Sequence, residues 1–267
     1  MAPRETEQKA VLLTALLNGP KPSDGLAALR SSGRLDAWYP ELQGLAGVAQ
    51  SPLHHPEGDV WTHTMLVVDY ASTIKAQAQN PACFLLAALC HDLGKPATTT
   101  TDDRGQIHAY GHDEVGAGVA RDFLTRIGMD EEPIKYVENM VSLHMQPNRK
   151  AKANAKVKST NQMFDKSVCP EDLLLLAEAD HCGKGTHEPY GETRAWLRQR
   201  LQVYRETMAA PHATEQDLIE LGVSPGAELE AMLLLAHKLQ LSGNSRSAVV
   251  KQIYAMIRKS GRARRDS

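Results

Sequence analysis

A histidine and an aspartate stand side by side at the end of an apolar segment. His91 and Asp92 follow the run FLLAALC and precede the helix-ending segment LGKP. One interpretation is that these polar residues only mark the end of a helix. The other is a metal site, because neutral imidazoles and carboxylates together bind Mn²⁺, Fe²⁺, Ni²⁺ and Zn²⁺ and, with more oxygen ligands, Mg²⁺. A metal site needs further ligands from elsewhere in the chain.

Four other residues in or beside predicted helices can supply those ligands. His63 lies early in one predicted helix, and Asp180 lies near the end of another. His112 stands at the start of a helix, and His144 stands at the carboxyl end of one, as His91 does. Helices of a bundle can project ligands inward onto a shared metal. The chain order H, HD, H, H, D therefore favours one common site.

Helices must position these residues. Apolar residues return every three or four positions, which is the spacing of amphipathic helices. This spacing predicts helices over 61–74, 82–93, 114–128, 132–144, 171–181, 192–208 and 227–239. Aromatic residues are scarce and β-branched runs are short, so we predict an all-α fold. The segment TTTTDDRGQIHAYGHDE is either a small hairpin or an irregular loop, and AKANAKVKST is predicted to be a basic loop or a frayed helix.

Composition limits the class of protein. The chain has 267 residues, 42% of them hydrophobic and 23% charged, as is usual for a globular protein. No run reaches the roughly 18 apolar residues of a membrane span, and the N-terminal segment MAPRETEQKA is too polar for a signal peptide. We therefore expect a cytoplasmic protein with no membrane partner. The four cysteines form no CxxC pair, which disfavours a disulfide framework or a structural zinc.

The domain prediction rests on a change of composition near residue 210. From there, glycine and proline breaks in PHATEQDLIELGVSPGAELE precede an amphipathic helix, a GNS turn and a last helix with a basic tail. We predict a lead-in helix in 1–24, a main helical domain over 25–209 and a C-terminal helical appendage over 210–267.

Basic residues are concentrated in two segments, although the net charge is −2. Such patches attract phosphates, and a solvated helix face is the alternative interpretation. The residues are Arg149, Lys150, Lys152, Lys156, Lys158 and Lys166 in the middle of the chain, and Arg258, Lys259, Arg262, Arg264 and Arg265 at its end.

The order of the histidines and aspartates resembles that of the HD-domain phosphohydrolases. By this resemblance, the four-ligand metal site of the family falls on His63, His91, Asp92 and Asp180. The extra histidines with which similar members bind a second, aspartate-bridged metal fall on His112 and His144. The resemblance implies an HD-domain helical bundle that holds one or two divalent ions, for which we expect Mg²⁺, Mn²⁺, Ni²⁺ or Co²⁺.

A closer resemblance covers nearly the whole chain. Five segments look like the C-terminal portion of bacterial tRNA nucleotidyltransferases, the CCA-adding enzymes: HHPEGDVWTHTMLVVDYA, LAALCHDLGKPATT, GHDEVGAGVA, LAEADHCGKG and DLIELGVSPGAELEAML. It implies 2',3'-cyclic phosphodiesterase, 2'-nucleotidase or phosphatase activity on nucleotides or RNA ends. Lys184 departs from the family, which commonly has arginine there. The glycine-rich segment and the DxD pair of the polymerase head do not precede residue 25, so CCA addition itself is not expected.

The expected chemistry is metal-assisted hydrolysis. Two cations that share Asp92 would activate a water and hold the phosphate oxygens, and with a single metal His112 or His144 would orient phosphate or protonate the leaving oxygen. Lys95 is either a phosphate contact or a solvated lysine at a helix end. We predict the catalytic residues to be Asp92, Lys95 and His112, and the phosphate-binding residues to be Lys95, Arg149 and Lys184.

Two functions remain open on the sequence. The first is a metal-dependent phosphohydrolase that acts on nucleotide or RNA-end phosphoesters. The second is a tRNA-binding or assembly module of a split CCA-adding enzyme with a structural HD fold, whose partners are tRNA and a separate nucleotidyltransferase head. Glu57 and Asp59 are predicted to cap the helix of His63. No motif supports a role for His54, His55, His108, His181, His187, His212 or His237.

Overall fold

The computed structural model describes residues 5–186 and 188–263, with side chains as far as residue 258. Within them the regular secondary structure is helical apart from one two-stranded hairpin, so the predicted all-α class is confirmed. His187, Arg264 and Arg265 lie outside the described residues, and the side chains of Lys259 and Arg262 are not described.

The helices and strands follow one another along the chain in this order: α1 (Glu5–Leu17), α2 (Pro22–Ser31), α3 (Arg34–Trp38), α4 (Pro40–Gln43), α5 (Val60–Ile74), a 3₁₀ turn (Lys75–Gln77), α6 (Pro81–Cys90), α7 (Lys95–Thr98), β1 (Thr99–Thr101), β2 (Ile107–Ala109), α8 (His112–Arg126), α9 (Glu131–Leu143), α10 (Met145–Lys152), α11 (Val157–Lys166), α12 (Pro170–Cys182), α13 (Gly191–Met208), α14 (Glu215–Glu220), α15 (Ala227–Leu241) and α16 (Arg246–Ala263).

The chain divides into two compact units. The first takes in 1–151 and 167–195, and the second takes in 152–166 and 196–267. These boundaries are set by contacts between backbone segments, whereas the sequence prediction divides the chain at 210. The functional division at residue 210 stays a prediction.

Helix α6 is the centre of the first unit. Every residue from Cys83 to Cys90 is buried, because the segment is apolar around its whole circumference and neighbours cover all its sides. The side chain of Asn80 accepts a hydrogen bond from the backbone N–H of Cys83, and Pro81 opens the helix. Helices α1, α5, α9 and α12 pack against α6. This helix therefore holds the end of the FLLAALC segment rigidly inside the unit.

Two glycines allow backbone segments near the candidate ligands to approach closely. A Cβ at Gly94 would collide with the carbonyl oxygen of His112 and with the backbone nitrogen of Gly116, both in α8. A Cβ at Gly183 would collide with Val67 of α5. Without these Cβ atoms, the start of α8 packs directly on the turn after α6, and the end of α12 packs directly on α5.

The segment between α6 and α8 forms the hairpin rather than the irregular loop. Strands β1 and β2 are antiparallel, with Thr100 opposite His108. The AKANAKVKST segment is a loop as predicted only over 153–156, because α10 extends to Lys152 and regular helix resumes at Val157. Asn161 is fully buried there and donates a side-chain hydrogen bond to the carbonyl of Leu241 within the second unit, which ties α11 into that unit.

The second unit has its own apolar core. Seven buried residues form it: Ala213, Leu218, Val223, Leu229, Ala236, Val249 and Ile253. Thr214 and Asp217 form a capping box at the start of α14. Gln240 is buried and binds the backbone at the end of α13, at Thr207, and in the α13–α14 connection, at Ala210 and His212. The Gln240 side chain thus holds the connection near residue 210, where the composition of the sequence predicts a break.

The close approach at Gly94 predicts a stability difference between two glycine substitutions. Gly94→Ala should lower the free energy of unfolding by about 1–3 kcal/mol, because its methyl group meets backbone atoms that cannot rotate away. Gly118→Ala in α8 is the matched control, since nothing lies within 4 Å of its Cβ position. Alanine there should raise stability by about 0.5–1 kcal/mol. Chemical denaturation of both variants measures the difference, and equal stabilities would contradict the packing described.

Candidate metal centre

The six predicted ligands lie together in the interior of the first unit. His63 belongs to the first turns of α5, and Asp180 belongs to the last turn of α12. His91 and His144 follow α6 and α9 directly, and His112 opens α8, as their sequence positions predict. All of these side chains and Asp92 are buried.

Local backbone contacts orient three of the imidazoles. Each Nδ1 donates to the carbonyl oxygen three residues earlier: His91 to Ala88 at 2.8 Å, His112 to Ala109 at 2.6 Å and His144 to Val141 at 2.6 Å. A neutral imidazole carries one N–H, so this tautomer leaves the Nε2 lone pair free to bind a metal.

The first group of ligand atoms comes from His63, His91 and Asp180. The two Nε2 atoms are 3.3 Å apart, and Nε2 of His63 lies 3.1 Å from Oδ1 of Asp180. All three ligand atoms lie within 4.8 Å of one another. The Oδ2 atom of Asp92 is 3.2 Å from Nε2 of His91, so this carboxylate faces the group as well.

The second group comes from His112 and His144, whose Nε2 atoms are also 3.3 Å apart. The other carboxylate oxygen of Asp92, Oδ1, lies 3.5 Å from His112 and 3.9 Å from His144. Asp92 therefore turns one oxygen towards each pair of histidines. In this position the Asp92 carboxylate would be shared between ions held by the two histidine pairs.

The set of donors fits divalent metal ions. Lone pairs on neighbouring imidazole nitrogens and carboxylate oxygens repel one another in a dry interior unless a cation lies among them. Four imidazoles with two carboxylates suit borderline ions such as Mn²⁺, Ni²⁺ or Co²⁺, and the oxygen ligands also suit Mg²⁺. The described residues thus include a cluster able to hold one or two ions.

Electrostatics favours ionised Asp92 and Asp180 and neutral His144, whereas for His63 burial is outweighed by the contacts with Asp180 and Glu57, which raise its pKa. Burial acts to raise the pKa of Asp92, but the neighbouring His91 and Lys95 outweigh it and hold that pKa well below its usual range. Burial likewise opposes ionisation of Asp180, and the contact with His63 holds its pKa low. Burial lowers the pKa of His144 to about 4, so its imidazole is neutral near pH 7.

Glu57 is a member of this site that the sequence did not reveal. Asp59 caps α5 as predicted by accepting from the backbone N–H of Thr62, but Glu57 does not cap the helix. Its side chain is only 2% exposed, and its Oε1 lies 2.7 Å from Nδ1 of His63 and 2.8 Å from Nδ1 of His55. Glu57 thus orients the His63 ring through its Nδ1 atom, as a backbone carbonyl orients each of the other three rings.

A cavity of about 450 Å³ opens onto the cluster. Asp92, His112 and Asp180 are among its lining residues, and so are the three predicted phosphate contacts, Lys95, Arg149 and Lys184. Of the histidines without motif support, His54, His55 and His108 also line it. The basic side chains and three of the six candidate ligands therefore share one cavity.

Lys95 is buried, so its interpretation as a solvated lysine at a helix end is wrong. It opens the short helix α7, and its Nζ lies 2.7 Å from Oδ2 of Asp92 and 2.6 Å from Oε1 of Gln50. The ammonium group offsets part of the negative charge that the buried carboxylate brings into the interior.

Residues 60–184 match the family model described as the HD domain. This part of the chain is an HD domain. Its matched residues contain the six clustered side chains, and the HD pair of the name stands at 91 and 92.

Curated relatives extend the similarity beyond the HD domain. The multifunctional CCA protein of Actinobacillus pleuropneumoniae serotype 5b is 34% identical over 176 residues, which is 63% of this chain and 42% of the relative. The CC-adding tRNA nucleotidyltransferase of Thermus thermophilus is 29% identical over 240 residues, 86% of this chain and 52% of that enzyme. The A-adding tRNA nucleotidyltransferase of Deinococcus radiodurans is 29% identical over 230 residues, 83% of this chain and 51% of that enzyme. The chain spans about half the length of these relatives.

Among the described helices, none combines the length and apolar character needed to cross a bilayer.

The contact between Glu57 and His63 predicts that a residue outside the ligand set controls metal affinity. Glu57→Gln should weaken Mn²⁺ binding about tenfold or more, because the neutral amide makes the His63 ring less basic and orients it less firmly. Calorimetric titration of the metal-stripped protein measures the affinity. Glu132→Gln, which changes an exposed glutamate at the start of α9, is the control and should bind Mn²⁺ as the wild type does.

Proposed function

We propose that this chain is a metal-dependent phosphohydrolase that acts on phosphoesters of nucleotides or RNA ends, with 2',3'-cyclic phosphodiesterase, 2'-nucleotidase or phosphatase activity. The observation that carries the proposal is the position of Asp92, which turns one oxygen towards each histidine pair. It does so beside a cavity lined with the basic side chains Lys95, Arg149 and Lys184. The HD-domain match supports the reaction class.

The six clustered residues are the proposed ligands. His63, His91 and Asp180 would hold one ion, His112 and His144 would hold the other, and Asp92 would bridge them. Bound divalent ions supply an activated water and neutralise the charge that develops on a phosphate. The protein's own contribution would be to fix the buried ligands, through carbonyl contacts and Glu57, before substrate arrives.

The cavity residues have distinct proposed roles. Arg149 and Lys184 line its wall and would attract the phosphate by charge. Lys95 lies against Asp92 and would contact the phosphate oxygen nearest the bridging carboxylate. His112 is the least buried of the ligand histidines and lines the cavity, so with a single ion bound it is the candidate to protonate the leaving oxygen.

The test of this proposal is an aspartate substitution with a matched control. Asp92→Asn should reduce hydrolysis of a nucleoside 2',3'-cyclic phosphate by at least about 1,000-fold, because the amide loses the charge and one ligand oxygen that the bridge needs. Asp113→Asn changes another carboxylate that lines the same cavity but belongs to neither ligand group, and it should retain activity. Hydrolysis is measured with Mg²⁺, Mn²⁺, Ni²⁺ and Co²⁺ in turn. Wild-type protein that is inactive with all four ions would overturn the proposal.

Metal removal gives an independent readout of the same centre. A ligand that binds only the folded state stabilises it, so Mn²⁺ should raise the unfolding temperature of wild-type protein after chelator treatment. The same ion should leave the unfolding temperature of Asp92→Asn nearly unchanged. An equal rise in both proteins would show that Mn²⁺ binds elsewhere.

A second function is favoured by the extent of the similarity. The match to the Thermus enzyme covers 240 residues and therefore reaches beyond 60–184, while the matched relatives are tRNA nucleotidyltransferases. We propose as the alternative a tRNA-binding or assembly module, with tRNA and a separate nucleotidyltransferase head as its partners.

Binding measured with the same variant separates the two functions. If Asp92→Asn loses hydrolysis but binds tRNA with unchanged affinity and salt dependence, the chain has a catalytic centre and an independent RNA surface. If both proteins bind tRNA equally and the wild type hydrolyses no phosphoester, the alternative function is the correct one.

A further inference from the structure

A tyrosine ring stands exposed at the edge of the cavity. Tyr110 lines the same cavity as Asp92, and 80% of its surface is open to solvent. A single exposed apolar side chain needs no explanation by itself. Tyr110 is different because other residues of the hairpin hold its ring in place.

The hairpin supports the ring through a series of contacts. Tyr110 stacks on His108, with ring centroids 5.1 Å apart and an interplanar angle of 11°. Nε2 of His108 lies 3.1 Å from Oδ2 of Asp102. Asp102 also accepts hydrogen bonds from the backbone N–H groups of Arg104 and Gln106, which closes the turn of the hairpin. The tyrosine is thus part of an ordered stack, yet most of its surface remains accessible.

We propose that Tyr110, supported by His108, is a stacking platform for the nucleobase of the substrate. This inference rests on the proposed function for one point only, which is that a phosphoester binds at the Asp92 centre. Aromatic side chains bind bases by stacking, and the interaction tolerates different bases because each has a flat π face. The cavity volume of about 450 Å³ lies in the range of small-molecule sites.

The distribution of charged and aromatic side chains in the cavity determines how a nucleotide would be oriented. Lys95, Arg149 and Lys184 line the cavity together with the ligand residues Asp92 and His112, so the phosphate end of a nucleotide is drawn there. The hairpin contributes to the same lining through Ile107, Ala109 and Tyr110, which offer apolar and aromatic surface. One cavity therefore presents a cationic, metal-binding part to a phosphate and an aromatic part to a base.

Calorimetry with a pair of probes tests the platform without requiring catalysis. The full chain, stripped of metal so that it does not hydrolyse the probes, is titrated with adenosine 2'-monophosphate and with methyl β-D-ribofuranoside 2-phosphate, which has the same phosphate but no base. Wild-type protein should bind the nucleotide about tenfold more tightly than the abasic compound, as expected for one stacked base. Tyr110→Ala should bind the two compounds equally, and Tyr110→Phe should keep the preference.

A control tyrosine and a stability measurement exclude a general effect of the substitution. Tyr254 in α16 is also exposed but does not line the cavity, so Tyr254→Ala should keep the tenfold preference. The unfolding temperature of Tyr110→Ala should stay close to that of the wild type, because the replaced ring is largely outside the core.

Kinetics then separate failure of the platform from failure of the hydrolase. For a nucleoside 2',3'-cyclic phosphate, Tyr110→Ala should raise KM about tenfold with kcat within twofold, and hydrolysis of the abasic cyclic phosphate should not change. Equal binding of both probes by the wild type, or a preference that survives Tyr110→Ala, overturns the platform even if hydrolysis occurs. A preference that depends on Tyr110, in a protein that hydrolyses nothing, upholds the platform and overturns the proposed hydrolase.

Discussion

A carboxylate buried between two pairs of imidazoles sets the geometry of the first unit. Asp92 is 1% exposed, and a buried charge destabilises a protein by several kcal/mol unless partners surround it. Three of those partners lie at helix ends, since His91 and His144 follow α6 and α9 and His112 opens α8. The close packing at Gly94 and the ion pair with Lys95 follow from this requirement, since both hold the turn after α6 in place. Packing in the first unit is thus organised around a polar centre inside an apolar shell.

The positions of the histidines at helix ends have a simple physical basis. The last carbonyl groups of an α-helix lack partners within the helix. His91 and His144 lie just beyond α6 and α9 and donate to such carbonyls, so each ring satisfies an acceptor and is oriented by it. His63 lies inside a helix, where the nearby carbonyls are already bonded, and it takes the carboxylate of Glu57 instead. A backbone carbonyl and a carboxylate thus have the same effect, because each holds an imidazole with its Nε2 atom directed at the centre.

The sequence predicted the helices and the clustered residues more completely than their surroundings. Periodicity found α5, α6, α8, α9 and α12 because each has an apolar face or is apolar throughout. It missed α2, α3 and α4, which are short and carry few apolar positions each. Glu57 lies in a loop, where no period applies, and its contact with His63 depends on a turn that residue types alone do not specify. The burial of Lys95 was equally inaccessible, because it results from a cavity wall that only tertiary packing creates.

The two halves of the centre differ in how far apart along the chain their members lie. His112 and His144 are 32 positions apart and belong to two successive, mutually packed helices, so short-range folding of α8 onto α9 brings them together. His63 and Asp180 are 117 positions apart, and their contact closes a long loop whose entropy must be overcome by the packing of α5 on α12. The half that contains His63 therefore forms only when distant parts of the chain have packed together. The half that contains His112 requires only that α8 and α9 pack as a helical hairpin. The contact of His63 with Asp180 therefore costs more loop-closure entropy than the contact of His112 with His144.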